Sequence, residues 1–199
     1  KCLICSSNKV LKISSNFQGY IEGTFYDIWE CKNCNTQFID ANKIDKKVYD
    51  IIYSNSDTIG YDRYFKYAEK IKKQNSPLKY LVKQESAYYP VLEYLKNNPR
   101  RLRILEVGCG EGYLTYALNR CGHDAIGLDI SQEAVKSAKE HFGDNFVASD
   151  IKNYNSQEKF DLIVSIMTIE HVPNPNEFIA NCKRLLKPDG KILITSPSK

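Results

Sequence analysis

The sequence lacks the features that would remove it from the class of soluble folded chains. No apolar run approaches the ~18 residues that a membrane-spanning helix needs. Neither sign of charge dominates, since 28 Lys and Arg stand against 24 Asp and Glu for a formal net charge of +4. Glycine and proline are scarce, at 10 and 7 among 199 residues. These deficits exclude disordered, collagen-like and membrane-spanning classes, and 42% hydrophobic with 12% aromatic residues are enough to build a core. The length suits one domain of ordinary size, or a small module joined to a medium one. Lys1, Cys2 and Leu3 do not read as the start of a signal peptide, so a cytoplasmic protein is the default expectation.

The charge that is present is unevenly placed. Residues 1–100 carry 16 basic and 11 acidic side chains, whereas residues 101–199 carry 12 and 13. Six lysines, at 66, 70, 72, 73, 79 and 83, face a single acid, Glu69, within residues 66–83. Such a stretch is either the solvated face of a helix or a surface that attracts nucleic acid, anionic lipid or a phosphorylated small molecule.

The seven cysteines fall into two classes. Cys2, Cys5, Cys31 and Cys34 form two C-x-x-C pairs, whereas Cys109, Cys121 and Cys182 stand alone and read as small hydrophobic residues. Two such knuckles can close a tetrahedral site around zinc, with two disulfides as the disfavoured rival in a reducing compartment. Between them, residues 9–13 and 24–30 read as short strands with Gly19 and Gly23 in the turn, the pattern of a zinc ribbon. A module of about 40 residues buries too little surface to hold itself together, so the metal is structural, with all four positions filled by thiolates. Four thiolates and Zn²⁺ bring the net charge down to about +2.

Residues 49–94 hold nine of the fourteen tyrosines and read as helical. Tyr61, Tyr64, Phe65, Ala68 and Ile71 fall on one helical face. Ser76 and Pro77 offer a cap and first-turn proline for a second helix carrying Leu81, Tyr88, Leu92 and Leu95, which Pro90 kinks or divides and Asn97, Asn98 and Pro99 stop. The tyrosine stripe is a packed face, with a lid over a pocket as its functional alternative.

The strongest signal starts at Leu102. An apolar strand runs into Glu106, Gly108, Cys109, Gly110 and Gly112, and a helix follows that Gly122 closes. Glycines allow the backbone close to a ligand and expose amides at a helix start. A second strand ends at Asp129, 21 residues after Gly108, with Ser131 as the cap of the next helix. An acid at that strand end accepts both ribose hydroxyls. Strands at residues 145–150, 160–166 and 191–195, a helix over 175–186 and a turn at Lys187 to Gly190 complete the pattern. The expected fold class is α/β, a Rossmann-like doubly wound parallel sheet. The dinucleotide fingerprint fails, because its third glycine position is Tyr113.

This core, residues 102–195, resembles the class I S-adenosylmethionine-dependent methyltransferases, on the glycine motif, Asp129, Asp150, the Glu170, His171 and Val172 run, and the approach to strand five through Leu185 to Gly190. The resemblance implies S-adenosyl-L-methionine as cofactor, with Gly108, Cys109 and Gly110 at its methionine part and Glu106 ordering the loop or meeting the amino group. Asp129 would hold the ribose, Ile130 would pack on adenine, Asp150 and Ile151 would meet the adenine edge, and Met167 would lie near the sulfonium. It also implies two further strands after the fifth, which these 199 residues do not include; a fifth strand at the edge invites pairing with another chain. His171 and Glu170 are candidate catalytic residues, His171 as base, against a structural or cofactor-shell role for the pair.

The order of a four-cysteine module, an aromatic stretch at residues 48–53 and this core is similar to bacterial methyltransferases of sugar-nucleotide, polysaccharide and small-molecule biosynthesis. The rival resemblance, to ribosomal RNA guanine methyltransferases, weakens because their fourth metal ligand is usually histidine, where this chain has Cys34. The expected organisation is a zinc-ribbon module over 1–45, a helical connector or lid over 46–100 and the cofactor-binding core over 101–199. A small-molecule or glycan acceptor is preferred over RNA or a non-catalytic RNA-binding role, with no membrane partner.

Overall fold

The computed structural model describes residues 1–19, 22–39 and 62–197. The first unit is a three-stranded antiparallel sheet, β1 (Val10–Gln18), β2 (Phe25–Cys31) and β3 (Gln37–Ile39), in the order β1-β2-β3. Val10 lies opposite Cys31 and Phe17 opposite Tyr26, and the Gly19 amide closes the hairpin on the Thr24 carbonyl at 2.8 Å. Both expected strands are present. The third strand, three residues pairing Ile39 with Ile28, was too short to announce itself by alternation. The aromatic stretch at 48–53 and Tyr61 lie outside the described residues.

Helices follow at α1 (Asp62–Ile71), α2 (Pro77–Gln84) and α3 (Tyr89–Asn97). The face that α1 buries differs from the expected one, because Tyr67 is buried with Ala68 and Ile71 while Phe65 is only partly covered. Tyr67 gains this place through its hydroxyl, which donates to Glu85 at 3.0 Å, and through edge-on contact with Tyr113 at 5.6 Å. Burial and the Glu85 carboxylate push the Tyr67 phenol up to about 12. Ser76 does precede α2, but its hydroxyl makes no cap bond. The second helix divides as expected, although the break is at Glu85, whose backbone is extended; Pro90 then stands in the first turn of α3, where its missing N–H has no partner to lose.

The remaining chain alternates strand and helix: β4 (Arg103–Val107), α4 (Tyr113–Arg120), β5 (Asp124–Asp129), α5 (Gln132–Phe142), β6 (Phe146–Ala148), β7 (Phe160–Ile166), α6 (Pro175–Leu185) and β8 (Leu186–Thr195). The five strands form one sheet in the order β6-β5-β4-β7-β8, every neighbouring pair parallel. This is the expected doubly wound sheet, with β8 at one edge. The turn expected at Lys187 to Gly190 is instead a bulge inside β8: Phe160 pairs with Leu186, and Leu162 already with Lys191. The bulge presses close to its neighbour, since a side chain at Gly190 would meet the Phe160 carbonyl oxygen at 3.0 Å. Lys187 anchors it by donating to Asp161 at 3.0 Å.

Both faces of the sheet are covered. On one, Ile71, Leu81 and Val91 of the connecting helices share a core with Leu114, Leu118 and Ile104. On the other, Phe178, Cys182 and Leu185 of α6 pack on Leu105 and Ile163. The helices before β4 are therefore a layer of the sheet's own core as well as a cover. All six lysines of residues 66–83 are exposed, as a solvated helix surface requires, and Lys66 pairs with Asp62 at 2.6 Å. No helix among the described residues is long and apolar enough to cross a membrane.

Candidate functional site

The carboxyl ends of β4, β5, β6 and β7 open into a cavity of about 950 Å³. Its floor is the glycine loop after β4. Gly108 adopts φ +81°, and a side chain there would place its first carbon 2.2 Å from the Thr168 hydroxyl. The Gly108 and Cys109 amides donate to the Leu128 carbonyl at 2.8 and 3.1 Å, which folds the loop over the end of β5. Gly112, at φ +78°, leads into α4 so closely that a side chain would strike Phe146 and Ala138 at 2.6 and 2.7 Å.

Asp129 locks this loop. One carboxylate oxygen accepts from the Gly110 amide at 2.8 Å and the other from the Ser131 amide at 2.9 Å. Burial raises its pKa, against the pull of those amides. Glu106 is also buried and accepts from the Thr115 hydroxyl, and burial pushes it up to about 8. Glu111 is the third buried acid: one oxygen accepts from Ser137, while Oε1 has no hydrogen-bond partner among the described residues. Three carboxyls around one loop make a floor of acceptor oxygens that suits ligand groups carrying hydroxyl or ammonium donors.

The other expected cofactor residues line the same cavity. Ile130 is 54% exposed, an apolar side chain open to a ligand ring. Asp150 is exposed and accepts from the Lys152 amide at 2.9 Å, and Ile151 is buried beside it. Met167 follows β7 in the left-handed region at φ +53°, held by its amide donating to the Thr195 carbonyl at 2.9 Å. Cys109 contributes backbone only, because its side chain packs with Val135, Ala138 and Phe146. Glu170 and His171 lie on a short 3-10 turn, Ile169–His171, exposed and lining the cavity, where the His171 amide donates to the Thr168 carbonyl at 2.9 Å.

Sequence reasoning missed part of this site. Arg63, Tyr64 and Tyr88 of the connecting helices line the cavity together with Tyr113, and the Tyr88 and Tyr113 hydroxyls lie 3.0 Å apart, buried. Their helical spacing signalled a packed face, and only the turn of α1 across α4 brings Tyr64 and Tyr113 into a stack at 6.3 Å. Thr168 carried no motif, and its role shows only through its contact with Gly108.

The four cysteines of the first unit converge as the spacing requires. All four sulfurs lie within 4.8 Å of one another, with Cys2 to Cys34 at 3.6 Å and Cys5 to Cys31 at 3.5 Å. A tetrahedral metal–thiolate site with bonds near 2.3 Å has sulfur–sulfur edges of about 3.8 Å, so this donor set fits zinc. The two knuckles repeat one geometry. The Ile4 amide points at Cys2 Sγ and the Asn33 amide at Cys31 Sγ, each at 3.4 Å, and Ser6 and Asn35 each follow the second cysteine with positive φ. Amides aimed at sulfur stabilise thiolates and orient them for a cation.

Residues 80–199 match a family model described as a methyltransferase domain. The ubiquinone biosynthesis O-methyltransferase of Actinobacillus pleuropneumoniae serotype 5b (strain L20) is 33% identical over 119 residues, 53% of this chain and 51% of that protein. Its counterpart in Coxiella burnetii (strain Dugway 5J108-111) is 35% identical over 99 residues, 47% of this chain and 42% of that protein. The chain spans about half the length of these curated relatives. The plantazolicin methyltransferase BpumL, solved with a pentazolic desmethylPZN analog and SAH, shares the fold at a TM-score of 0.51 and 24% identity, over 76% of this chain and 59% of that one.

Proposed function

The chain belongs to the methyltransferase-domain family, and from that premise we propose that it transfers a methyl group from S-adenosylmethionine to a small-molecule acceptor. The observation that carries this reading is the Asp129 carboxylate clasping the Gly110 amide at the mouth of the glycine loop, beside Ile130 and Asp150. One acid at the end of β5 thereby fixes the loop and presents lone pairs to ribose hydroxyls, Ile130 covers an adenine face, and Glu106 and Glu111 offer acceptor oxygens toward the methionine end.

The cofactor supplies an already activated methyl group, so the protein's part is alignment, exclusion of water and removal of a proton where the acceptor needs it. Tyr64, Tyr88 and Tyr113 line the cavity, and so does the segment holding Glu170 and His171. His171 is the candidate base. The O-methyltransferase names of the curated relatives support an oxygen nucleophile on a small molecule; the order of a four-cysteine module before the core supports an acceptor of the sugar-nucleotide or polysaccharide kind. Both acceptor types belong in the first substrate panel.

Cys2, Cys5, Cys31 and Cys34 would hold a structural zinc ion with no position open for substrate. Calorimetric titration with S-adenosylhomocysteine, with NADH as control, tests the cofactor reading. Binding of the first alone, lost in Asp129→Ala, is expected; a folded protein indifferent to S-adenosylhomocysteine overturns it.

A further inference from the structure

One side chain of the larger unit holds two backbone carbonyls of the smaller. Asn176, the second residue of α6, donates from Nδ2 to the Leu3 carbonyl at 3.2 Å and to the Ile4 carbonyl at 2.8 Å. Leu3 and Ile4 are the two residues between Cys2 and Cys5. The planar peptide that joins them therefore has a partner at each end: its N–H points at Cys2 Sγ, 3.4 Å away, and its carbonyl accepts from Asn176. On the far side of Asn176 is the cavity wall. Asn174 caps α6 by accepting from the Glu177 amide at 3.2 Å, and Asn174, Glu177 and the preceding Glu170 and His171 all line the cavity.

We propose that Asn176 is a positioning residue that couples the four-cysteine site to this wall, so that metal held by Cys2, Cys5, Cys31 and Cys34 fixes where the first turn of α6 and the His171 segment stand. The inference rests on the metal and methyltransferase readings above. Among the described residues 1–39 only Cys2 and Cys31 are buried, so without metal little keeps the first knuckle closed. Opening it turns the Leu3 and Ile4 carbonyls away from Asn176. Metal-bound thiolate draws the Ile4 N–H and polarises the same peptide toward Asn176, which strengthens the bond when the site is loaded.

Hydrogen exchange on the full chain tests this, with zinc counted per chain and removed by a chelator. In the wild type, chelation is expected to speed exchange in residues 169–178 by about three- to tenfold, the worth of one to two hydrogen bonds, while residues 103–107 stay unchanged. Asn176→Ala with zinc retained should show the same rise, chelating that variant should add nothing, and Asn176→Gln should restore part of the protection. Loss of zinc from the wild type with unchanged exchange at 169–178 overturns the coupling alone, as does a zinc-loaded Asn176→Ala that exchanges like wild type. A purified protein that holds no zinc and takes none up overturns the metal reading, and this inference with it.

Discussion

In the ribbon, Leu11, Ile13, Phe17 and Phe25 stand 42–57% exposed on a sheet with no second layer among the described residues, whereas in the parallel sheet Leu105, Leu128, Phe160 and Ile163 are at most 1% exposed. The two sheets are built from similar β-forming residues. What separates them is a partner surface: the parallel sheet has helices on both faces, and the ribbon has four thiols at one end. Apolar residues at strand spacing thus do not reveal whether a strand is held by burial or by a cross-link, and chemistry at the ends of the segment decides it.

Removing one thiol should undo the ribbon and spare the parallel sheet. Cys31→Ser should abolish stoichiometric zinc, a loss of about 10 kcal/mol of binding coupled to folding, while the sheet and helices keep their circular dichroism; a folded ribbon in the zinc-free variant contradicts the reading. Leu118→Ala, deep among the helices, should cost about 2–5 kcal/mol in urea unfolding, yet leave zinc content unchanged. Glu106 sharpens the contrast through pH. Its folded pKa of about 8 exceeds the ordinary 4.5, so its contribution is fully present below pH 4.5 and is lost as pH rises through 8. Wild type should therefore lose about 4 kcal/mol between pH 5 and 9 relative to Glu106→Gln, read from urea midpoints. Gly108→Ala should weaken S-adenosylhomocysteine by tenfold or more through strain of about 1–3 kcal/mol, with the ribbon indifferent. Smallest is Ser131→Ala, which removes the cap bond to the Ala134 amide at 3.2 Å and should cost about 1 kcal/mol.

The sequence was legible where one residue type is the only solution to a local problem. Gly108 and Gly112 mark positive φ under crowding, Asp129 an acid at a strand end, and the cysteines a site that closes only at that spacing. It was opaque where the answer depends on a distant partner. Tyr67 outcompetes Phe65 for the core because Glu85 takes its hydroxyl, β8 carries its lysine and proline inside a bulge because Asp161 receives Lys187, and Asn176 reaches a loop 172 residues away. No periodicity encodes such pairings.

Met167 places a side chain where backbone prefers glycine, and the strand end at Thr195 keeps it there. In terms of selection, this is a position where stability and use pull apart. Replacement by glycine should relieve about 1 kcal/mol of backbone strain, yet it removes a side chain packed on the core at the cavity wall and loosens the end of β7. Met167→Gly would thus trade an eased backbone for lost packing, and the variant would be less able to shape its cavity.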